Sequence, residues 1–136
     1  MLDVMERFCW NDYRRNLFSD LQRFLQDVWL QNFQACPAYV DGSFVRNKER
    51  PDDIDLVLDI TAFQDDLVDR AIGSWFRSRW LWKENYNADV YLKYPNVPKD
   101  LTAFFQYVGG KAAVELDLPE KHLKGILLIQ GASWTN

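Results

Sequence analysis

Apolar positions in the first quarter of the chain follow a helical period. Between Asp12 and about Phe33 the apolar side chains recur at three- and four-residue steps, and most charged residues fall outside that stripe. This spacing is typical of an amphipathic α-helix with one face against a core. Asn11 or Asp12 is expected to cap its first turn, because both side chains accept hydrogen bonds from free backbone N–H groups. Cys36-Pro37 ends the pattern.

Apolar and polar positions alternate with a period of two in the segment DIDLVLDI, residues 53–60. Four aliphatic residues occupy one face, and Asp53, Asp55, Val57 and Asp59 occupy the other. The alternation predicts a strand with one buried face and one acidic face. A carboxylate buried without a partner is costly, so the acidic face is expected either to be wet or to hold a cation.

The remaining pattern predicts further short strands and helices. The predicted elements are a strand over 38–42, a loop over 46–51, a helix over 63–83 capped by Thr61, a strand over 88–94, a helix over 101–116 and a strand over 124–130. The order of elements predicts the α+β class, with helices on one face of a small mixed β-sheet and an open acidic face. With 136 residues and no repeat, the chain is predicted to be a single domain over 1–136.

Composition narrows the functional classes. The formal net charge of -4 argues against binding to a nucleic-acid backbone through overall charge, so nucleic acid is not an expected partner. Cys9, Cys36 and the lone His122 do not make a Cys/His zinc site or a disulfide framework. No apolar run is long enough to span a membrane, and the charged start is unlike a signal peptide. A cytoplasmic protein without a membrane partner is expected.

Three carboxylates are the candidates for chemistry. Asp53 and Asp55 share one strand face, with their Cα atoms about 6.5–7 Å apart. Asp89 lies on the next predicted strand and also points away from its apolar neighbours. Together they would suit a hard divalent cation such as Mg²⁺, which prefers carboxylates, water and phosphate oxygens. Asn87 and Glu84 are the nearest substitutes for Asp89, and a simple solvated acidic face is the alternative to a site.

Residues that suit a phosphate group precede the acidic strand. Gly42 would let backbone N–H groups approach an anion, and Ser43 would add a hydroxyl donor. Arg46, Lys48 and Arg50 lie in the polar loop between the two strands, where they would either contact phosphate or remain solvated.

The spacing of these residues resembles the motif of a known superfamily. Gly42-Ser43, nine intervening residues, then Asp53 and Asp55 on a strand and a later acidic strand residue are similar to the polymerase-beta-type nucleotidyltransferases. The chain length is similar to that of the minimal nucleotidyltransferases, and the longer pattern resembles a small bacterial and phage family assigned to the same fold. The resemblance implies the nucleotidyltransferase fold.

The resemblance also implies roles for the candidate residues. Gly42 and Ser43 would hold the triphosphate, Asp53 and Asp55 would bridge two Mg²⁺ ions, with Mn²⁺ as a substitute, and Asp89 would help the nucleophile lose its proton. The implied reaction moves a nucleoside monophosphate from a nucleoside triphosphate, ATP in the first instance, to a hydroxyl acceptor.

The acceptor is not evident from the pattern. Small members of the superfamily often act beside a second protein, so an antitoxin-like adenylyltransferase that modifies a toxin partner is one specific form. Two other classes remain open. One is a catalytically inactive nucleotidyltransferase-fold binding module, and the other is an acidic interaction protein, such as an inhibitor of a basic partner.

Overall fold

The fold combines helices with one four-stranded mixed sheet. The computed structural model describes residues 2–45, 49–95 and 127–131 of the chain. The strands are β1 (Ala38–Asp41), β2 (Ile54–Asp59), β3 (Ala88–Lys93) and β4 (Leu127–Ile129), in the order β3-β2-β1-β4. Strand β1 is antiparallel to both β2 and β4, whereas β2 and β3 are parallel. The predicted α+β class and mixed sheet are confirmed.

The helical segments match the predicted positions with changes at their ends. They are α1 (Leu2–Phe8), α2 (Asp12–Phe24), a π-helical turn (Leu25–Trp29), α3 (Leu30–Asn32), a 3₁₀ helix (Gly42–Val45) and α4 (Asp65–Tyr86). The helix predicted over 12–33 is therefore interrupted by a π-helical turn, and α1 was not predicted. The helix predicted over 101–116 lies outside the described residues. Among the residues that are described, no helix is long and apolar enough to cross a membrane.

One of the two predicted helix caps is observed, and the other is not. Asn11 caps α2 as expected, because its side chain accepts from the backbone N–H of Arg14 at 2.8 Å. Thr61 does not cap α4, since its N–H and hydroxyl both donate to the carboxylate of Asp59. Helix α4 begins later, after Gln64 in an extended conformation. The Thr61 prediction was wrong because Thr61 forms a local turn with Asp59, and the helix begins only at Asp65.

The core lies between the helices and one face of the sheet. Trp82 of α4 packs edge-on against Phe24 and Phe33, with ring centroids 5.7 and 5.8 Å apart. The aliphatic face of β2 belongs to the same buried cluster, including Leu56 and Leu58. Burying each such side chain contributes about 1.5–3 kcal/mol to folding. The helical layer predicted for this face is therefore observed.

Arg14 joins the helical layer to the segment after β1. The apolar pattern placed Arg14 outside the buried stripe, yet its side chain is fully buried. Its guanidinium donates to the carbonyl oxygens of Phe8 and Phe44 and lies over the rings of Trp10 and Phe44, at 5.1 and 4.9 Å from their centroids. These acceptors offset the cost of burying the charge. Arg14 thus anchors the 3₁₀ helix that begins at Gly42.

An open acidic face was predicted, but this face of the sheet is closed in part. Val57 is buried on this face, directly between its register partners Tyr39 and Tyr91 on the neighbouring strands. Cross-strand partners share a face, so two aromatic residues flank the valine. Asp41 on the same face is only 1% exposed. The predicted open acidic face is therefore closed at Val57 and Asp41, because aromatic and aliphatic residues are interspersed with the acids.

Candidate metal site

Three carboxylates meet at one end of the parallel strand pair. Asp53, Asp55 and Asp89 each offer a carboxylate oxygen, and these oxygens lie within 4.8 Å of one another. Asp55 and Asp89 are register partners on β2 and β3, and Asp53 precedes Asp55 by two residues on the same side. The side chains of Asp53 and Asp89 are 23% and 18% exposed. The structure thus brings together the three acids that the sequence pattern singled out, here termed the candidate metal site.

Lys83 contacts this site from the last turn of α4. Its Nζ atom lies 3.7 Å from Oδ2 of Asp53 and 3.7 Å from Oδ2 of Asp89. Sequence reasoning missed Lys83, although a signal was present. A helix that connects two parallel strands returns its C-terminal end to the start of the second strand. The last turn of α4 therefore adjoins the first residues of β3, where Asp89 lies.

Asp41 adds a fourth carboxylate to the same face. It is the register partner of Asp55, so Asp41, Asp55 and Asp89 form a row across three adjacent strands. Asp41 is buried, whereas the other two are half-buried. The sequence analysis did not single out Asp41, and the antiparallel register of β1 and β2 shows that it adjoins Asp55. Like charges at adjacent register positions repel one another, so a cation near them would be stabilised.

Gly42 makes close contact with the site. Its φ angle is +77°, in a region of backbone conformation that residues other than glycine rarely adopt. A Cβ atom at this position would clash with the Asp55 carboxylate, lying 2.9 Å from its Cγ atom. Two constraints therefore require glycine here. Ser43 follows within the 3₁₀ helix, but its side chain, Arg46 and Lys48 lie outside the described residues.

The other residues considered as ligands from sequence lie elsewhere or remain solvent-exposed. The Asn87 amide donates to Asp20 at 3.0 Å, so this proposed substitute for Asp89 is engaged away from the site. Glu84 is exposed and is not part of the group of three carboxylates. Asp59 accepts from Thr61 at the opposite end of β2. Among these candidates, Asp89 is the one that joins the site.

The site environment perturbs two titrating groups. Burial raises the pKa of the Asp53 carboxyl; the Lys83 ammonium opposes this shift, and the Asp89 charge adds to it. Tyr91 donates from its hydroxyl to Oδ2 of Asp89 at 3.1 Å. Burial, with the charge of Asp89 next in importance, raises the pKa of Tyr91 to about 12. Tyr91 therefore remains a hydrogen-bond donor to Asp89 at neutral pH.

The donor set fits one chemical class of cation. Three carboxylates within mutual reach, partly exposed to solvent, match the oxygen ligands that Mg²⁺, Mn²⁺ and Ca²⁺ accept. Within the described residues both cysteines are buried away from this group, so no soft ligand contributes to it.

Comparison with known proteins assigns the chain to a family. A model of the family described as a family of unknown function (DUF6932) matches residues 1–130. The chain belongs to this family. Searches of curated proteins and of solved structures found no match. The range matched to DUF6932 contains every strand and helix described above and the whole candidate metal site.

Proposed function

We propose that this protein is a divalent-metal-dependent nucleotidyltransferase of the polymerase-beta type, with the corresponding fold. One observation carries the proposal: the backbone of Gly42 lies directly against Asp55, within a cluster of three carboxylates. A glycine turn supplies backbone N–H groups for phosphate, and carboxylates supply ligands for the cation that accompanies a triphosphate. Their juxtaposition suits a metal–triphosphate complex better than either a solvated acidic face or a simple cation site.

Each residue of the site has a proposed role. Asp53, Asp55 and Asp89 would hold Mg²⁺, or Mn²⁺ in its place, and such ions stabilise the charge on the attacking and leaving oxygens in phosphoryl transfer. Gly42 and Ser43 would hold the triphosphate. Arg46 and Lys48 remain proposed phosphate contacts on the strength of the sequence.

The proposed reaction transfers a nucleoside monophosphate. The oxygen of an acceptor hydroxyl forms a bond to the α-phosphorus of ATP, and the bond from that phosphorus to pyrophosphate breaks. Asp89, which accepts a hydrogen bond from Tyr91, would take the proton of the hydroxyl, while pyrophosphate leaves with the electron pair. The acceptor proposed from sequence is a hydroxyl of a partner protein, as in a toxin–antitoxin pair.

Lys83 supports a second candidate function. Its ammonium lies between Asp53 and Asp89 and offsets part of their charge without any metal. If the charge of the site is balanced in this way, the protein would bind a nucleotide through Gly42 and Lys83 without catalysing a reaction. The protein would then be a binding module with an inactive nucleotidyltransferase-type site.

Transfer of radiolabel tests the first function. The protein would be incubated with Mg²⁺ and ATP labelled at the α-phosphate, with and without lysate that supplies acceptor proteins. We expect labelled product, and we expect Asp55→Asn to reduce its formation by about 10²–10³-fold, as is typical when a group that stabilises transition-state charge is lost. Asp59→Asn is the matched control, because Asp59 lies on the same face of β2 but outside the site.

The outcomes separate the two functions. Equal labelling by wild type and Asp55→Asn, or no labelled product at all, would contradict the transferase proposal. Calorimetry with ATP in EDTA then tests the binding module. Binding that needs no metal and survives Asp55→Asn but not Lys83→Met supports the binding module.

A further inference from the structure

A second concave surface lies among the helices, away from the candidate metal site. It is a cleft of about 620 Å³ between the region of α3 and the first half of α4. Gln31, Asn32 and Gln34 line it from one side, and Arg70, Ser74 and Arg77 line it from α4. No residue of the candidate metal site lines it. This surface, here termed the arginine cleft, has no part in the function proposed above.

Two guanidinium groups in this cleft have no hydrogen-bond or ion-pair partner among the described residues. Arg70 and Arg77 are seven residues apart on α4, which is two helical turns, so they share one helix face. Neither makes a hydrogen bond or an ion pair with any residue in the described part of the chain. By contrast, Arg15 and Arg23 pair with aspartates one turn away on α2. Arginines without a partner among the described residues are notable in a chain with 20 acidic residues and a net charge of -4.

The backbone of α4 leaves room for the Arg77 side chain on the side of Arg70. Gly73 lies between them, and a Cβ atom there would lie 3.1 Å from Nη1 of Arg77. The Arg77 side chain is therefore folded back along α4 over Gly73, in the direction of Arg70. A Cβ atom at position 73 would require the guanidinium to shift by a few tenths of an ångström. Glycine thus lets the Arg77 guanidinium lie close to the helix, in the cleft that Arg70 also lines.

We propose that the arginine cleft binds a small phosphorylated ligand without a divalent metal. Two guanidiniums present paired N–H donors in the fork geometry that matches phosphate oxygens. Ser74 adds a hydroxyl donor, and the amides of Gln31 and Gln34 suit the hydroxyl or carbonyl groups of such a ligand.

The charge and the apolar lining of the cleft also suit such a ligand. Asp69 lines the cleft too, so the local charge of the cleft is two positive against one negative. Phe63 and Leu67 add apolar lining for a non-phosphate part.

Calorimetry in EDTA with inorganic pyrophosphate tests the proposal. We expect saturable binding of one pyrophosphate per chain, weakened about tenfold or more by Arg70→Gln and by Arg77→Gln, as expected for loss of a charge-assisted contact. Arg7→Gln is the control, since it removes an exposed arginine of α1 that does not line the cleft. Equal weakening by Arg7→Gln, or no saturable binding, would overturn the proposal.

Three further measurements localise the ligand and its chemistry. Ser74→Phe keeps both arginines but places a bulky ring beside them in the cleft, so it is expected to weaken binding strongly, and unchanged binding would contradict the assignment to this cleft. Asp55→Asn is expected to bind pyrophosphate as wild type does, because no divalent ion is present. Loss of pyrophosphate binding in Asp55→Asn would overturn the proposal. The proposal does not depend on nucleotidyl transfer, so a negative transfer assay would not change the interpretation of pyrophosphate binding. Citrate that binds as tightly as pyrophosphate would contradict the phosphate assignment.

Discussion

The two faces of strand β2 show what holds the fold together and what the proposed function requires. On one face Ile54, Leu56 and Leu58 are fully buried in the core beneath the helices. On the other, Asp53 and Asp55 are half-buried among further carboxylates, where burial raises the pKa of Asp53. The first face stabilises the fold through apolar burial. The second face lowers the stability of the fold, because folding concentrates like charges there that add nothing to the core.

The strongest test of this comparison replaces one residue from each face. Leu56→Ala should lower the free energy of unfolding by about 2–5 kcal/mol, because it leaves a cavity in a fully buried cluster. Asp55→Asn, on the adjacent residue, should change it by less than about 1 kcal/mol while abolishing metal binding. Urea unfolding measures the first effect, and Mn²⁺ binding measures the second. A Leu56→Ala variant as stable as wild type would mean that this face does not hold the fold.

Gly42 connects the acidic face to the turn after β1, so its substitution should affect both stability and the site. Gly42→Ala should cost about 1–2 kcal/mol, because alanine is unfavourable at a positive φ angle. Its Cβ atom would also displace the Asp55 carboxylate, so Mn²⁺ affinity should fall together with stability. Gly131→Ala is the matched control, since Gly131 also has a positive φ angle but no atom of the described residues within 4 Å of an added Cβ. Equal Mn²⁺ affinity in the two variants would contradict the close approach.

The two faces of β2 also differ in how far sequence alone could predict them. A pleated strand alternates its side chains locally, so the period-two pattern was enough to place Asp53 and Asp55 opposite Leu56. The meeting of Asp55 with Asp89 depends on strand register, and register follows from how α4 packs across the sheet. Asp41 was missed for the same reason. These are long-range features that no local pattern contains.

The helices show the same division between local and long-range information. The apolar stripe predicted α2, because helix formation depends on residues three and four positions apart. Arg14 appeared to lie outside that stripe, and its burial depends on carbonyl groups of Phe8 and Phe44 that reach it only in the folded chain. Lys83 looked like an ordinary last-turn lysine of α4, and only the path of α4 back to β3 brings it to the site.

Lys83→Met should sharpen the distinction between the two faces by removing the ammonium from the acidic one. Two partly exposed ion pairs of this kind together contribute about 1 kcal/mol, and a metal ion has to displace them. Mn²⁺ should therefore bind about fivefold more tightly to the variant, as measured by calorimetry without nucleotide. Lys93→Met, on β3, is a control for loss of one positive charge. Weaker Mn²⁺ binding by Lys83→Met would show that the ammonium and the metal do not compete.

Asp53→Asn should have the smallest effect. Because its pKa is higher in the folded chain than its ordinary value of 3.8, protonated Asp53 favours folding, and this contribution is lost as pH rises from that value through the raised pKa. Above that range the ionised carboxylate destabilises the metal-free fold. The variant should therefore melt about 1–3 °C higher than wild type at pH 7 in EDTA, and the difference should shrink towards pH 3. Circular dichroism would measure this, with the exposed Glu84→Gln as a control. A lower melting temperature at pH 7 would mean that the ion pair with Lys83 outweighs the cost of burial, and that the acidic face stabilises the fold after all.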